Sequence, residues 1–364
     1  MSSAEAPGAA PALLAVLRER IGRQGPLRLD AFMSLALADP DYGYWHRGHA
    51  LGAAGDFITA PEISQVFGEI VGLWAVSTWQ KMGEPAPLRL IELGPGRGTL
   101  LDDGLRAAAA VSPAFVAAVA VHLIELSPVL RGLQARRLSA RHPGAIAWHQ
   151  SLAEVPAGPA IVIGNEFLDA LPIRQLVFGD GVWRERMVGS DGRDGLAFEL
   201  GDVAEFAGHA PACPGDVAEI RSGEDAILAA LRHRAAPLVA LFIDYGPAEP
   251  AYGDTLQAVR RHAYVAPLAD PGGSDLTAHV QFAGLAAKAR ALGLISLGPM
   301  PQAEFFGRLG MAERAARLMA RNPAAAQAIE TAVKRLLAPA GMGSQFKVLI
   351  VTSPGLPTPE PFAP

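Results

Sequence analysis

From Leu88 onward the chain reads as short apolar runs separated by stretches with helical spacing. The runs are Leu88–Leu93, 121–125, 145–148, 160–163 and 238–243, with a last one at Phe346–Thr352. They are continuous rather than alternating, which predicts strands buried on both faces of a parallel sheet covered by helices. Helical patterns fall at 11–21, 29–37 (Asp30 as N-cap), 64–82, 100–110, 216–236, 253–266 and 279–292. The gap between the fourth and fifth runs is too long for a simple crossover. Inside it, residues 175–200 alternate and are broken by Gly179-Asp180-Gly181 and Asp191-Gly192, which are hairpin signals. The expected division is a helical N-terminal extension with a lid at 1–83, an α/β core at 84–353 with an antiparallel insertion at about 174–212, and a proline-rich tail at 354–364 that is disordered or loosely docked. No internal repeat is visible.

Composition narrows the class. The chain has 364 residues and is 50% hydrophobic, enough for a sizeable core. Its formal charge of −5 argues against nucleic acid or an anionic membrane as a main partner. Cys213 is the only cysteine, which excludes an internal disulfide and suits a reducing compartment. The apolar stretch 107–126 is interrupted by Pro113, His122 and Glu125, so no stable membrane insertion is expected. Residues 1–11 have the look of neither a signal nor a transit peptide. His46 and His49 lie near Asp41, but too few ligands converge for a metal, and none is expected. Arginine far outnumbers lysine and alanine is abundant, a codon signature of a GC-rich bacterial genome, and the expected location is the cytoplasm.

The chemistry starts where the first strand ends. Leu88–Leu93 runs into Gly94-Pro95-Gly96-Arg97-Gly98, and a helical pattern follows. Strand, glycine loop and helix build a cofactor cradle: glycine permits positive φ and close backbone approach, and the helix start offers free N–H groups. A dinucleotide fingerprint is G-x-G-x-x-G; here Thr99 stands where its third glycine belongs. Glu92 followed by G-x-G-x-G resembles motif I of S-adenosylmethionine (SAM) methyltransferases instead. Glu125, ending the second run, stands where nucleoside folds place a ribose-binding carboxylate. Gln150, Ser151 and Leu152 follow the third run, on the loop that meets adenine in such folds; an ordinary surface loop reads equally well. Asn165, Glu166 and Asp169 follow the fourth, at the sheet edge where open α/β folds bind ligands, although Asp169 could equally cap a helix. Asp244-Tyr245-Gly246 ends the fifth, with a plain turn as its alternative. Residues 55–64, GDFITAPEIS, suit either a helix start or a lid over the cofactor.

Several longer blocks then combine. GDFITAPEISQVFGEIVGLW, IELGPGRGTL, GNEFLDALPIRQ, GDTLQAVRRHAYV, DLTAHVQF and MGSQFKVL resemble, in the same order, the MidA-like family of SAM-dependent methyltransferases, relatives of a mitochondrial complex I assembly factor. The resemblance spans residues 29–352. It implies a Rossmann-like seven-stranded methyltransferase core with an N-terminal helical extension and an inserted antiparallel β element. It implies SAM as cofactor and protein arginine methylation, with a complex I core subunit as the mitochondrial relative's target. The sequence leaves the oligomeric state open, a homodimer included. A eukaryotic member would sit in the mitochondrial matrix. Cofactor-binding positions fall on Glu92, Gly94, Gly96, Gly98, Thr99, Glu125, Ser151, Leu152 and Asn165. Gln150 and Gln281 stand where relatives carry Asp, and Pro301 where they carry Thr.

Arginine is a poor nucleophile because its guanidinium is delocalised and stays protonated. A carboxylate that binds it bidentately can localise charge and orient one nitrogen. Glu166 is the first candidate for that role, with Asp169 and Asp244 as partners and Glu62 as a further acid from the lid. Two alternatives remain open at this point: a SAM-binding assembly chaperone with little catalysis, and a small-molecule methyltransferase.

Overall fold

The apolar runs pair side by side. In the computed structural model, which describes residues 9–47, 58–139, 142, 144, 146–234 and 236–363, seven strands form one sheet. They are β1 (Leu88–Leu93), β2 (Val119–Ile124), β3 (Ile146–His149), β4 (Ala160–Asn165), β5 (Leu238–Tyr245), β6 (Ile295–Pro301) and β7 (Phe346–Thr352). Their order is β6-β7-β5-β4-β1-β2-β3. β7 runs antiparallel to both β5 and β6, and the remaining pairings are parallel. All residues of β4 are buried, as two-sided coverage requires. β6 is the strand the apolar pattern does not reveal. It lies at the sheet edge, carries Gly298-Pro299, and buries only Met300, so it has neither a run nor an alternation to read.

The strand order reverses between β4 and β1. Ligands of open α/β sheets bind in the crevice at such a point, outside the carboxyl ends of the strands. Leu93 of β1 is in register with Gly164 of β4. The loops that leave these two strands, at Gly94 and at Glu166, therefore emerge next to each other.

One face of the sheet is covered by α1 (Gln65–Lys81) and α2 (Thr99–Val111), which share an apolar core with β1, β2, β4 and β5. Ser64 starts α1 in extended backbone, its hydroxyl accepting from Val66 N at 3.3 Å. The helices touch backbone to backbone through Gly72 and Gly104. A Cβ on Gly72 would lie 2.3 Å from the Gly104 carbonyl oxygen. A polar cluster sits in the same layer: fully buried Glu69 receives Arg106 and Arg314, each at 2.7 Å. The 354–363 stretch is neither loose nor disordered. The Trp74 indole donates to the Glu360 carbonyl at 2.8 Å, Lys81 pairs with the Glu360 carboxylate at 2.8 Å, and Phe362 packs on the core. Proline richness hid this because proline withholds donors and favours extended chain without preventing such anchoring.

The chain divides into two compact units, and the boundary differs from the expected one. Residues 58–83 belong with the seven-stranded sheet. Residues 9–47 group with 170–224 and 250–279. In that second unit, helices Ala9–Gln24 and Leu29–Ala38 accompany strands Leu27–Arg28, Arg174–Gly179, Val182–Ser190, Leu196–Ala204 and Val217–Ile220. Gly179 faces Val182, so Asp180-Gly181 forms a two-residue hairpin turn with both φ angles positive. Asp30 lies within its helix rather than capping it; Arg28 is at the cap position, and the Asp30 carboxylate accepts from Ala31 N at 2.8 Å. The helix expected at 216–236 starts only at Ser222, because Val217–Ile220 pairs with Arg174–Gly179. The helix expected at 253–266 is a hairpin of Gln257–Arg260 and Ala263–Val265. Its turn residues Arg261 and His262 both take left-handed φ, of 49° and 60°, without the glycine or asparagine that would have announced it.

The α1–α2 contact gives a test with opposite signs at two glycines. Alanine is the better helix former by about 1 kcal/mol. In Gly132, within helix Pro128–Leu138, a Cβ would meet nothing closer than a flexible arginine end at 3.7 Å. Gly132→Ala should raise the unfolding free energy by up to about 1 kcal/mol. Gly72→Ala should lower it by about 1–3 kcal/mol, because the added carbon meets backbone. Urea denaturation followed by circular dichroism reads both.

Candidate cofactor and catalytic site

The glycine loop is built by three left-handed residues in alternation. Gly94, Gly96 and Gly98 have φ of 61°, 53° and 77°. The loop is anchored by Gly94 N donating to Ile124 O of β2 at 3.0 Å and by Gly98 N donating to Pro95 O at 2.8 Å. Gly98 is the N-cap of α2 and supplies no side-chain acceptor. The first amides of α2 are left for an anionic group in the crevice. Thr99 has another task. Its hydroxyl donates to Glu62 and accepts from Arg137.

At the end of β2, Glu125 is buried and each of its oxygens accepts one hydrogen bond. Its Oε1 accepts from Ser127 N at 2.8 Å, and its Oε2 from Gln134 Nε2 at 3.1 Å. Burial still holds its carboxyl above the ordinary range, against those two hydrogen bonds. Glu92, inside β1, has no partner for Oε2 among the described residues. Burial, reinforced by the charge of Glu125, pushes it up to about 8, so it is largely protonated at neutral pH. The β3 end comes alongside: Glu125 N donates to His149 O at 3.1 Å. There Ser151 is exposed with its hydroxyl on Glu154 at 3.2 Å, Leu152 is buried, and Gln150 N also donates to Glu154.

Across the switch point, β4 ends in Asn165 and Glu166. Glu166 has φ of 49°, a left-handed conformation that costs a non-glycine residue about 1–3 kcal/mol. Its Oε1 accepts from Ala60 N at 2.8 Å and from Asn165 Nδ2 at 3.1 Å. Its Oε2 is buried and has no hydrogen-bond partner among the described residues. Burial is the main cause that pushes Glu166 up to about 7; the Ala60 amide opposes it and the charge of Asp169 adds to it. The next residue, Phe167, closes on the other loop: a Cβ on Gly94 would lie 2.9 Å from its ring.

Asp244 and Asp169 stand differently from Glu166. Asp244 is fully buried in β5. Its Oδ2 accepts from Leu168 N and Asp169 N, at 2.9 and 3.1 Å, and its Oδ1 from Tyr245 N at 2.9 Å. Three backbone donors occupy it, so it clamps the 166–169 loop rather than presenting an open carboxylate. Burial and the Asp169 charge raise it well above the usual carboxylate range. Asp169 is buried beside it and is not a helix cap.

The lid segment is partly in view. Residues 55–57 lie outside the described residues, as does His49. Ala60–Ile63 is a short helix that meets both loops: Ala60 N binds Glu166, and Glu62 reaches Thr99 and, at 3.7 Å, Arg97. Three participants were not singled out from the sequence: Gln134, Phe167 and Arg137. They sit within a helix or a loop in otherwise ordinary patterns, and only the fold brings them to the crevice. Among the described residues no helix is long and apolar enough to cross a membrane.

Comparison with known proteins places this geometry. Residues 70–300 match the model of the family described as "Putative S-adenosyl-L-methionine-dependent methyltransferase". The chain is 34% identical over 369 residues to the protein arginine methyltransferase NDUFAF7 homolog, mitochondrial, of Drosophila melanogaster, with 92% of this chain and 83% of that one covered. It is 32% identical over 370 residues to the Homo sapiens protein arginine methyltransferase NDUFAF7, mitochondrial, with 92% and 82% covered. Its structure is similar to that of a candidate methyl transferase from Burkholderia thailandensis solved with S-adenosyl-homocysteine bound. The TM-score is 0.84 and the identity 28%, over 98% of this chain and 96% of that one.

The burial of Glu166 has a thermodynamic signature. Its folded pKa, about 7, lies above the ordinary 4.5. Its contribution to stability is therefore complete below pH 4.5 and is lost as pH rises through about 7. A glutamine does not titrate. Relative to the parent, Glu166→Gln should gain stability between pH 5 and pH 8, by at most roughly 3 kcal/mol. Denaturation of both proteins across that range checks this; a pH-independent difference contradicts it.

Proposed function

The chain belongs to the S-adenosyl-L-methionine-dependent methyltransferase family, and from that premise we propose that it methylates arginine side chains of a protein. The observation that carries the reading is the Glu166 carboxylate: buried, strained, half engaged, and adjacent to the glycine loop. The crevice fits the cofactor. Alternating left-handed glycines and open α2 amides suit the methionine carboxylate, and Glu125 suits the ribose hydroxyls. Glu92, Ser151, Leu152 and Asn165 complete its surroundings. Bound SAM supplies an electrophilic methyl group on its sulfonium.

The chain's own residues address the nucleophile. Ala60 N and Asn165 Nδ2 hold Glu166 by Oε1, which leaves Oε2 for a guanidinium N–H. Ionised Glu166 would pair with the arginine, localise its charge and orient one nitrogen. Once methylated, the guanidinium must shed a proton, and a carboxyl near pKa 7 is matched to receive it at Oε2. Asp244 serves as a positioning residue through the 166–169 backbone, with Asp169 completing the acidic wall. The relatives named protein arginine methyltransferases support a protein arginine as target. A respiratory complex I subunit is the first target to examine, in the cytoplasm of a bacterium.

Two measurements test the assignment. Glu125→Ala should weaken SAM binding about ten- to a hundredfold in calorimetry, since hydrogen bonds to a charged acceptor contribute roughly 1.5–3 kcal/mol. Glu166→Gln should bind SAM within about threefold of the parent, yet lose methyl transfer by two orders of magnitude or more. Mass spectrometry of arginine methylation in a deletion strain, complemented with parent or variant, reads the second. Full complementation by Glu166→Gln with target arginines unmethylated would establish a scaffold instead.

A further inference from the structure

We propose that Gln134 is the positioning residue of the cofactor site, setting the direction of both the glycine loop and the ribose acid. It lies on α3 (Pro128–Leu138) and has no exposed surface. Its Nε2 donates to Gly96 O at 2.7 Å and to Glu125 Oε2 at 3.1 Å. Its Oε1 accepts from Trp148 Nε1, on β3, at 2.8 Å. One carboxamide thus joins the ends of three adjacent strands.

The orientation of the amide is forced. An indole N–H can only donate, so Trp148 must face Oε1. A backbone carbonyl and a carboxylate can only accept, so both must face the NH2 group. A flipped amide would oppose donor to donor at Trp148 and acceptor to acceptor twice. The consequence reaches the crevice through peptide planarity. In a trans peptide the N–H points opposite to the C=O. With Gly96 O drawn onto Gln134, the Arg97 N–H is turned away from α3. α3 packs directly on the loop: the Cβ position at Gly98 lies 3.6 Å from Gln134 Cα, at van der Waals contact. Glu125, taken between Ser127 N and Gln134 Nε2, has its carboxylate plane fixed before any ligand arrives. Such preorganisation spares a ligand the cost of ordering the site.

This inference rests on SAM as cofactor, and the parent protein's binding of S-adenosyl-homocysteine (SAH) is the control for that premise. The discriminating variant is Gln134→Glu, which keeps the shape. Ionised, it cannot donate to Gly96 O and it faces Glu125 as a like charge; protonated, it regains one donor. The ionisable groups around it are Glu125, with Glu92 sensing the Glu125 charge, and Arg131 and Arg137 on α3 itself. The parent carries the same set, so comparison at each pH isolates the introduced carboxyl. SAH affinity of Gln134→Glu, measured by calorimetry, should fall relative to the parent by about tenfold or more between pH 5.5 and pH 8.5. Gln134→Leu should be weaker at every pH. Trp148→Phe, which only frees the amide to flip, should lose about three- to tenfold. Melting temperatures without ligand identify any variant that is unfolded. The proposal is overturned if folded variants bind SAH within threefold of the parent at all pH values. It is equally overturned if the Gln134→Glu deficit does not change with pH. Failure of the parent to bind SAH would instead remove the cofactor premise.

Discussion

Parallel pairing of β1 with β4, in register from Arg89↔Ala160 to Leu93↔Gly164, is the constraint on which the site depends. Both strands end at the same level, so the chain must leave both at one edge. Neither loop could be shifted by a single residue without turning every side chain of its strand to the other face. Because β4 is buried on both faces, that slip is forbidden by packing rather than by the loops. The left-handed turns at Gly94 and Glu166 then redirect the two exits, and Phe167 against Gly94 fixes their spacing. The geometry of the crevice is inherited from the sheet register.

Placing Glu92, Glu125, Glu166, Asp169 and Asp244 in or beside that crevice is expensive. Glu92, Glu125, Asp169 and Asp244 are buried and Glu166 is half-buried with its Oε2 enclosed, and burial raises the carboxyls of Glu92, Glu125, Glu166 and Asp244. Protonation and backbone donors relieve part of the cost, as at Asp244 with its three amide partners. The rest is offset by the large apolar layer of α1, α2 and the sheet, where Gly72 against Gly104 permits close packing. Buried acids with unmet hydrogen-bonding capacity are characteristic of sites awaiting a cationic or donor-rich ligand. SAM carries a sulfonium and an ammonium, and the arginine proposed as target would bring a third positive group, so each can compensate charge at the crevice.

The legible parts of the fold were those where local sequence and tertiary demand agree. β1, β2, β4, β5 and β7 are visible because two-sided burial writes an unbroken apolar run, and β3 keeps a short apolar run although it is a half-buried edge strand. β6 was not, because an edge strand with Gly298-Pro299 faces weaker demands on both counts. The 257–265 hairpin reads as a helix because Arg261 and His262 occupy a turn that normally requires glycine or asparagine. In the site, the residues forced by backbone geometry, the three glycines, could be read directly, and so could acids stranded at strand ends. Gln134 could not, since a glutamine at mid-helix is ordinary until the helix is placed against Gly96 and Glu125. The separate duties of Glu166 and Asp244 were also hidden. Both are acids after a strand run, and only hydrogen-bond partners distinguish a clamp from an open carboxylate.

That distinction matters for how the site divides its work. A carboxylate held by three backbone amides cannot also take a guanidinium without surrendering the loop it supports. A carboxylate held by one oxygen can. The two bonds to Glu166 Oε1 come from Ala60 and Asn165, one in the lid helix and one in the strand. Its orientation is therefore coupled to the position of residues 60–63, whose Glu62 is in turn tied to Thr99 at the start of α2. Moving that short helix would release Glu166 and the cofactor-loop contact together. Cofactor cradle and acid thus share one mechanical element, which makes the 60–63 helix part of the site rather than a cover over it.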